Sequence, residues 1–270
     1  MGKRIGIIAG SGRYLPPAVL MLKKQGMIPV VAAMEGEASP RLEKAGAVFR
    51  WFKPGRLSGV VSFFLENGAR EVVLLGKVRP TAIYRPDHFD ETAWDALRGL
   101  NDKSPLGLLG AAVAFLEGRG LRVLTPRAVL GPQFCQEGVL TAVEPTAAQL
   151  ADIDFGLSLA RRFANLDIGQ TLVIKDRAVV AVEGMEGTDE TIRRGGRLVG
   201  PGFIAVKAGR TSQDLRLDVP AVGLDTVRNL VRAGGGALGL DALKVAFFQK
   251  DQALSLADAH GVSITVRKIA

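Results

Sequence analysis

The chain has 270 residues, with 35 lysines and arginines against 27 aspartates and glutamates, two histidines and one cysteine. Apolar residues make up 47% and charged residues 23%, which excludes a disordered chain and suits two modest domains, and Cys135 alone cannot build a disulfide framework. The formal charge of +8 sits wholly in residues 1–132, where 19 basic residues face 11 acidic ones, and these are scattered rather than gathered into an aromatic-interleaved patch, so no nucleic-acid partner is expected.

Met1-Gly2-Lys3-Arg4 leads straight into an apolar strand, too short for a signal segment, so a cytoplasmic location is expected. The first half then alternates strands and helices. Strands are predicted at Arg4–Ala9, Ile28–Ala33, Ala47–Phe52, Glu71–Leu75 and Leu121–Leu124. Helices are predicted at Pro17–Gln25, Arg56–Asn67 and Leu106–Glu117. Short Val/Ile/Leu runs separated by helices are the pattern of a parallel sheet covered on both faces. The run Leu106–Leu116 falls short of the ~18–20 apolar residues a membrane-spanning helix needs.

Gly131–Pro145 mixes glycine, proline and polar residues without periodicity, so the organisation expected is a Rossmann-like domain over 1–132, a linker over 133–146 and a second α/β domain over 147–270. The second half begins with a helix at Ala147–Ala164 and strands at Thr171–Ile174 and Ala178–Val182. Further strands are predicted at Phe203–Val206, Ala221–Gly223, Val245–Phe248 and Val262–Val266, with helices at Glu190–Arg194, Thr226–Val231 and Gln252–Ala259.

Several segments carry candidate chemistry. Gly10-Ser11-Gly12-Arg13 lies between a buried strand and a helix, where backbone N–H groups attract phosphate. A plain turn would look the same. Leu15 replaces the third glycine of a dinucleotide fingerprint and prolines follow it, which argues against a dehydrogenase, and no Walker-A lysine is present. Gly76 and Lys77 end another strand, the position where α/β sheets bind ligands.

Gln170 leads into a strand of the second half. Glu183, Glu186, Asp189 and Glu190 crowd a glycine-rich segment that suits a hard divalent cation, or simply the start of a helix capped by Thr188. Lys207 ends a strand, and Gln213 and Asp214 follow. Asp225 comes after a strand ending in glycine and is also placed to cap a helix. Two histidines are too few for a multi-histidine metal site or a well-supplied Ser-His-Asp triad, whereas hydrolysis by a carboxylate-bound metal stays open.

Taken in order, Ile-Ala-Gly-Ser-Gly-Arg-Tyr-Leu-Pro, Gly-Lys-Val-Arg-Pro, Asp-Ile-Gly-Gln, Glu-Gly-x-Glu-Gly-Thr-Asp-Glu, Gln-Asp-x-Arg-x-Asp-x-Pro and Val-Gly-Leu-Asp-Thr resemble the LpxI-type UDP-2,3-diacylglucosamine pyrophosphatases over essentially the whole chain. The resemblance implies two domains with the ligand between them. It also implies Mg²⁺-dependent hydrolysis of UDP-2,3-diacylglucosamine to UMP and lipid X in lipid A synthesis. On that footing Gly10, Ser11, Gly12, Arg13, Gly76, Lys77, Gln170, Thr188 and Gln213 would bind substrate. Asp225, Asp214 and Lys207 would act in catalysis, and Mg²⁺ would draw on Asp225, Asp214, Asp189, Glu186 and Glu183. A substrate with acyl chains asks for an apolar crevice, for which Phe63-Phe64, Leu106–Leu116 and Phe247-Phe248 are candidates, although core packing accounts for each. Peripheral contact with the inner membrane and a homo-oligomer are both compatible with this reading. The competing class is a non-catalytic carrier of a nucleotide sugar or lipid, which would have little use for carboxylates beside phosphate.

Overall fold

The computed structural model describes residues 2–12, 14–45, 48–76, 78, 89–100, 105–211 and 219–269. Arg13, Lys77, Gln213 and Asp214 lie outside them. The chain divides into two units after Gly131.

The first unit contains β1 (Arg4–Ala9), α1 (Leu15–Lys24), β2 (Ile28–Met34), a 3-10 turn (Pro40–Ala45), β3 (Val48–Phe52), α2 (Leu57–Glu66) and β4 (Glu71–Leu75). It continues with α3 (Glu91–Arg98), α4 (Pro105–Glu117), β5 (Arg122–Leu124) and α5 (Pro126–Leu130). Its five strands lie in the order β3-β2-β1-β4-β5, every pair parallel. Because side chains alternate across a strand, Val30, Ala32 and Met34 of β2 join Phe52, Phe63, Phe64 and Leu116 under α2 and α4. Val31 and Ala33, equally buried, point to the opposite face, where α1 packs on β2 and α5 on β4. Two buried faces explain why these strands read as unbroken apolar runs. Phe63, Phe64, Phe247 and Phe248 are core side chains, at most 3% exposed.

The second unit contains β6 (Gly138–Val139), α6 (Ala147–Asn165), β7 (Thr171–Lys175), β8 (Ala178–Val182), α7 (Thr188–Val199), β9 (Ile204–Lys207), β10 (Ala221–Val222) and α8 (Leu224–Arg232). The remaining elements are β11 (Ala237–Asp241), β12 (Ala246–Phe247), α9 (Lys250–Ala259) and β13 (Ser263–Arg267). Six strands form a mixed sheet in the order β6-β13-β11-β9-β7-β8, and β10 pairs with β12 apart from it. β9, β11 and β13 run parallel, while β7 runs antiparallel to both its neighbours.

Helix α6 covers one face through Ile153, Leu157 and Ala160 against Leu172, Ile174, Ile204 and Val206. The alternate residues Val173, Phe203 and Ala205 pack on the other face with Ile192 of α7 and Val227 and Leu230 of α8. Residues 133–146, expected as a linker, are built into this unit. β6 pairs with β13, Ile264 donates its N–H to Thr141 Oγ1 at 2.9 Å, and Val143 donates its N–H to Asp258 at 3.2 Å. Among the described residues no helix is long and apolar enough to cross a membrane.

Candidate active site

In the first unit the strand order reverses direction between β1 and β4, and ligands of open α/β sheets bind at the carboxyl ends of such strands. The segments after these two strands meet there. Gly10 donates its N–H to the Leu75 carbonyl at 2.8 Å, and Gly76 donates its N–H to the Tyr14 hydroxyl at 2.7 Å. Gly76 has φ of +83°, and a Cβ on it would lie 2.5 Å from the Ser11 carbonyl oxygen. Only glycine suits that position. Two glycine segments distant in sequence, Gly10–Gly12 and Gly76, thus form one loop cluster.

The start of α1 is a poorer phosphate site than the sequence suggests. Pro16 and Pro17 are the second and third residues of α1, so two of its first N–H donors are missing, and Leu15 N–H already donates to the Gly12 carbonyl at 3.2 Å. Any anion held here would depend on the loop residues Ser11 and Gly12 rather than on the helix end.

The second unit brings together residues that are far apart in sequence. Thr171 opens β7 and stands opposite Lys207, the last residue of β9. Strand alternation turns Lys207 to the side of Phe203 and Ala205, the face that α7 covers. There its ammonium donates to Thr188 Oγ1 at 2.6 Å, to Thr171 Oγ1 at 3.1 Å and to Glu183 Oε2 at 3.5 Å. Glu183 follows β8, and its other oxygen accepts from the Thr188 hydroxyl at 3.1 Å. The Gln170 N–H donates to Glu183 Oε2 at 3.3 Å. Lys207 and Glu183 are 3% and 5% exposed, so each is a dry charge that depends on the other.

Thr188 does not cap α7. Gly187 is the N-cap without a side-chain bond, and Thr188 is the first helical residue, with its hydroxyl turned into the buried pair. Asp189 and Glu190 follow in the first turn, where acidic residues suit the helix dipole. Glu186 faces elsewhere. It accepts from Arg194 at 2.7 Å and from the Gly184 N–H at 3.1 Å, and the Arg194 guanidinium holds its carboxyl below the usual glutamate range. Asp225 is likewise not an N-cap. Gly223 holds that place, and Asp225, the second residue of α8, pairs with Arg228 one turn on.

Four of the residues singled out from sequence, Gln170, Glu183, Thr188 and Lys207, therefore meet, while Glu186 turns to Arg194 and Asp225 to Arg228. Among the described residues no three His, Cys, Asp or Glu side chains converge as a cation cage, and Glu183 and Glu186 are matched by basic partners. Those residues alone do not fit a divalent-cation site.

Thr171 and Arg194 were missed in the sequence. The signal for Thr171 was a hydroxyl heading the otherwise apolar run Thr-Leu-Val-Ile.

Two family models match the chain end to end. The LpxI N-terminal domain covers residues 4–132 and the LpxI C-terminal domain residues 136–265. The chain is also similar to the UDP-2,3-diacylglucosamine pyrophosphatase LpxI of Caulobacter vibrioides, at 27% identity over 97% of this chain and 96% of that protein. With both domains matched in order over nearly every residue, the chain belongs to the LpxI family.

Proposed function

We propose that this protein hydrolyses the pyrophosphate bond of UDP-2,3-diacylglucosamine, releasing UMP and 2,3-diacylglucosamine 1-phosphate (lipid X) for lipid A synthesis. The observation that carries this reading is the ordered match of both LpxI domains, together with a relative of that name aligned over nearly its whole length. The geometry supports it in two places. A glycine loop cluster stands at the sheet's switch point in the first unit, and a buried lysine–carboxylate–threonine network stands at a strand end in the second. Phosphoryl transfer needs mainly electrostatic stabilisation by positioned groups, and these elements can supply oriented hydroxyl and backbone N–H donors.

Mg²⁺ is part of the proposal. Asp225, Asp214 and Asp189 are the carboxylates we propose to hold it, with Asp225 exchanging its ion pair with Arg228 for the metal. We place the enzyme in the cytoplasm with peripheral contact at the inner membrane, where an acylated substrate resides.

The test is UMP release from UDP-2,3-diacylglucosamine with and without Mg²⁺. Metal-dependent release supports the hydrolase. Absence of release from folded, metal-loaded protein favours a nucleotide-sugar carrier instead.

A further inference from the structure

We propose that Lys207 is a positioning residue that acts through Thr188: its buried ammonium, braced by Glu183 and Thr171, fixes the first turn of α7 and does not itself touch the substrate. This rests on the pyrophosphate-cleaving reading above and specifies the part that Lys207 plays in it.

An ammonium has three N–H donors, and among the described residues three acceptors surround it, Thr188 Oγ1 at 2.6 Å, Thr171 Oγ1 at 3.1 Å and Glu183 Oε2 at 3.5 Å. A phosphate oxygen approaching Lys207 would have to displace one of them. It would also have to enter a space where the lysine side chain is 4% exposed. Among its three partners Thr188 makes the shortest bond and is only half-buried. It is also the first residue of α7.

The Thr188 hydroxyl is held from several sides. It donates to Glu183 Oε1 at 3.1 Å, accepts from Lys207, and lies 3.3 Å from the Thr171 hydroxyl that donates to it. The hydroxyl is therefore fixed in rotation as well as in place. What the network delivers outward is the position of the α7 first turn, whose backbone N–H groups have no partner within the helix.

Burying a lysine beside the positive end of a helix is electrostatically unfavourable, and among the described residues the Glu183 carboxylate offsets it. A purely structural core would be served as well by apolar side chains of the same volume. Retaining the charge at this spot is consistent with a need to hold Thr188 in one orientation.

The test is a double-mutant cycle on the full chain, reading kcat and KM for UMP release and, separately, UDP affinity by titration calorimetry, with folding checked by circular dichroism. Thr188→Val and Lys207→Met are each expected to lower kcat/KM by about tenfold or more. Thr188→Ser, which keeps the hydroxyl, recovers most of that loss. The double variant should fall no lower than the worse single one, because both changes cut the same connection. Losses that multiply would mean that Lys207 meets the substrate on its own, which overturns the proposal. An unchanged Thr188→Val overturns it too. If Lys207→Met does not fold, Glu183→Gln takes its place in the cycle and is read in the same way. If the unaltered protein releases no UMP, the hydrolase reading fails by itself. UDP titration then decides the inference, and equal affinity in all variants would sink it.

Discussion

Thr171 and Lys207 face each other across the antiparallel pair β7 and β9, and the threonine hydroxyl accepts from the lysine ammonium at 3.1 Å. Strand register alone brings this contact about. A one-residue slip would turn Lys207 to the α6 side, among Ile204, Val206 and Ile153.

Asp225→Ala is expected to leave the fold intact, since Asp225 is partly exposed and its partner Arg228 is a surface residue one turn away. If Asp225 orients or deprotonates the attacking water, UMP release drops on the order of 10²–10⁴-fold. Unchanged turnover in a protein with a native circular dichroism spectrum would remove Asp225 from the chemistry.

Asp241 ends β11 and is almost fully buried, where Arg161 of α6 donates to both its oxygens at 3.1 and 3.2 Å and the Gly209 N–H donates at 3.3 Å. Burial pushes its carboxyl above the usual aspartate range, and Arg161 pulls it part of the way back. Asp241→Ala removes the carboxylate partner of the largely buried Arg161, which keeps the Ile269 carbonyl at 3.2 Å, so guanidinium chloride denaturation should show a loss of about 3 kcal/mol. A loss below 1 kcal/mol would mean that water reaches Arg161 readily.

Glu186 gives a pH prediction. Arg194 lowers its folded carboxyl value, so the pair contributes stability that is present above the ordinary glutamate value of about 4.3 and is lost as pH falls through the lower folded value. Both side chains are about a third exposed, which limits the contribution to below about 1 kcal/mol. The melting temperatures of the unaltered protein and Glu186→Gln should differ slightly at neutral pH and converge as pH falls below the folded value. A constant difference across that range would show that the pair carries no linkage.

Gly76→Ala combines a positive φ with a Cβ 2.5 Å from the Ser11 carbonyl oxygen. A destabilisation of more than about 1 kcal/mol is expected on urea denaturation. Ser11 is displaced at the same time, so weaker UDP binding should accompany the loss. Wild-type stability would show that the Gly10–Gly12 loop yields without strain.

The first unit was legible because its strands are buried on both faces, and Arg4–Ala9 and Glu71–Leu75 were read with their observed ends. β11 was missed, although it lies at the centre of the second sheet. Three glycines precede it and Gly239 interrupts it, which reads as a loop. In the fold Gly239 lets α6 approach, since a Cβ there would lie 2.7 Å from Ile153 Cγ2. The site was legible in part. Lys207 was singled out by its strand-end position, but Thr188 and Asp225 both resembled helix caps, and the partner that reassigns Thr188 comes from β9, 19 residues away. Local rules could not supply that long-range contact.

The Glu183–Lys207 pair has a consequence for how the second unit assembles. These charges lose water together only when β8, β9 and α7 are all docked. A partly folded chain with β9 in the sheet and α7 detached has to leave the lysine hydrated at the sheet surface, so the half-docked state gains little from packing. The pair thus acts against intermediates as much as it favours the finished fold. Amide exchange in β9 and in α7 should consequently be governed by one shared opening event, with protection lost from both segments at the same denaturant concentration.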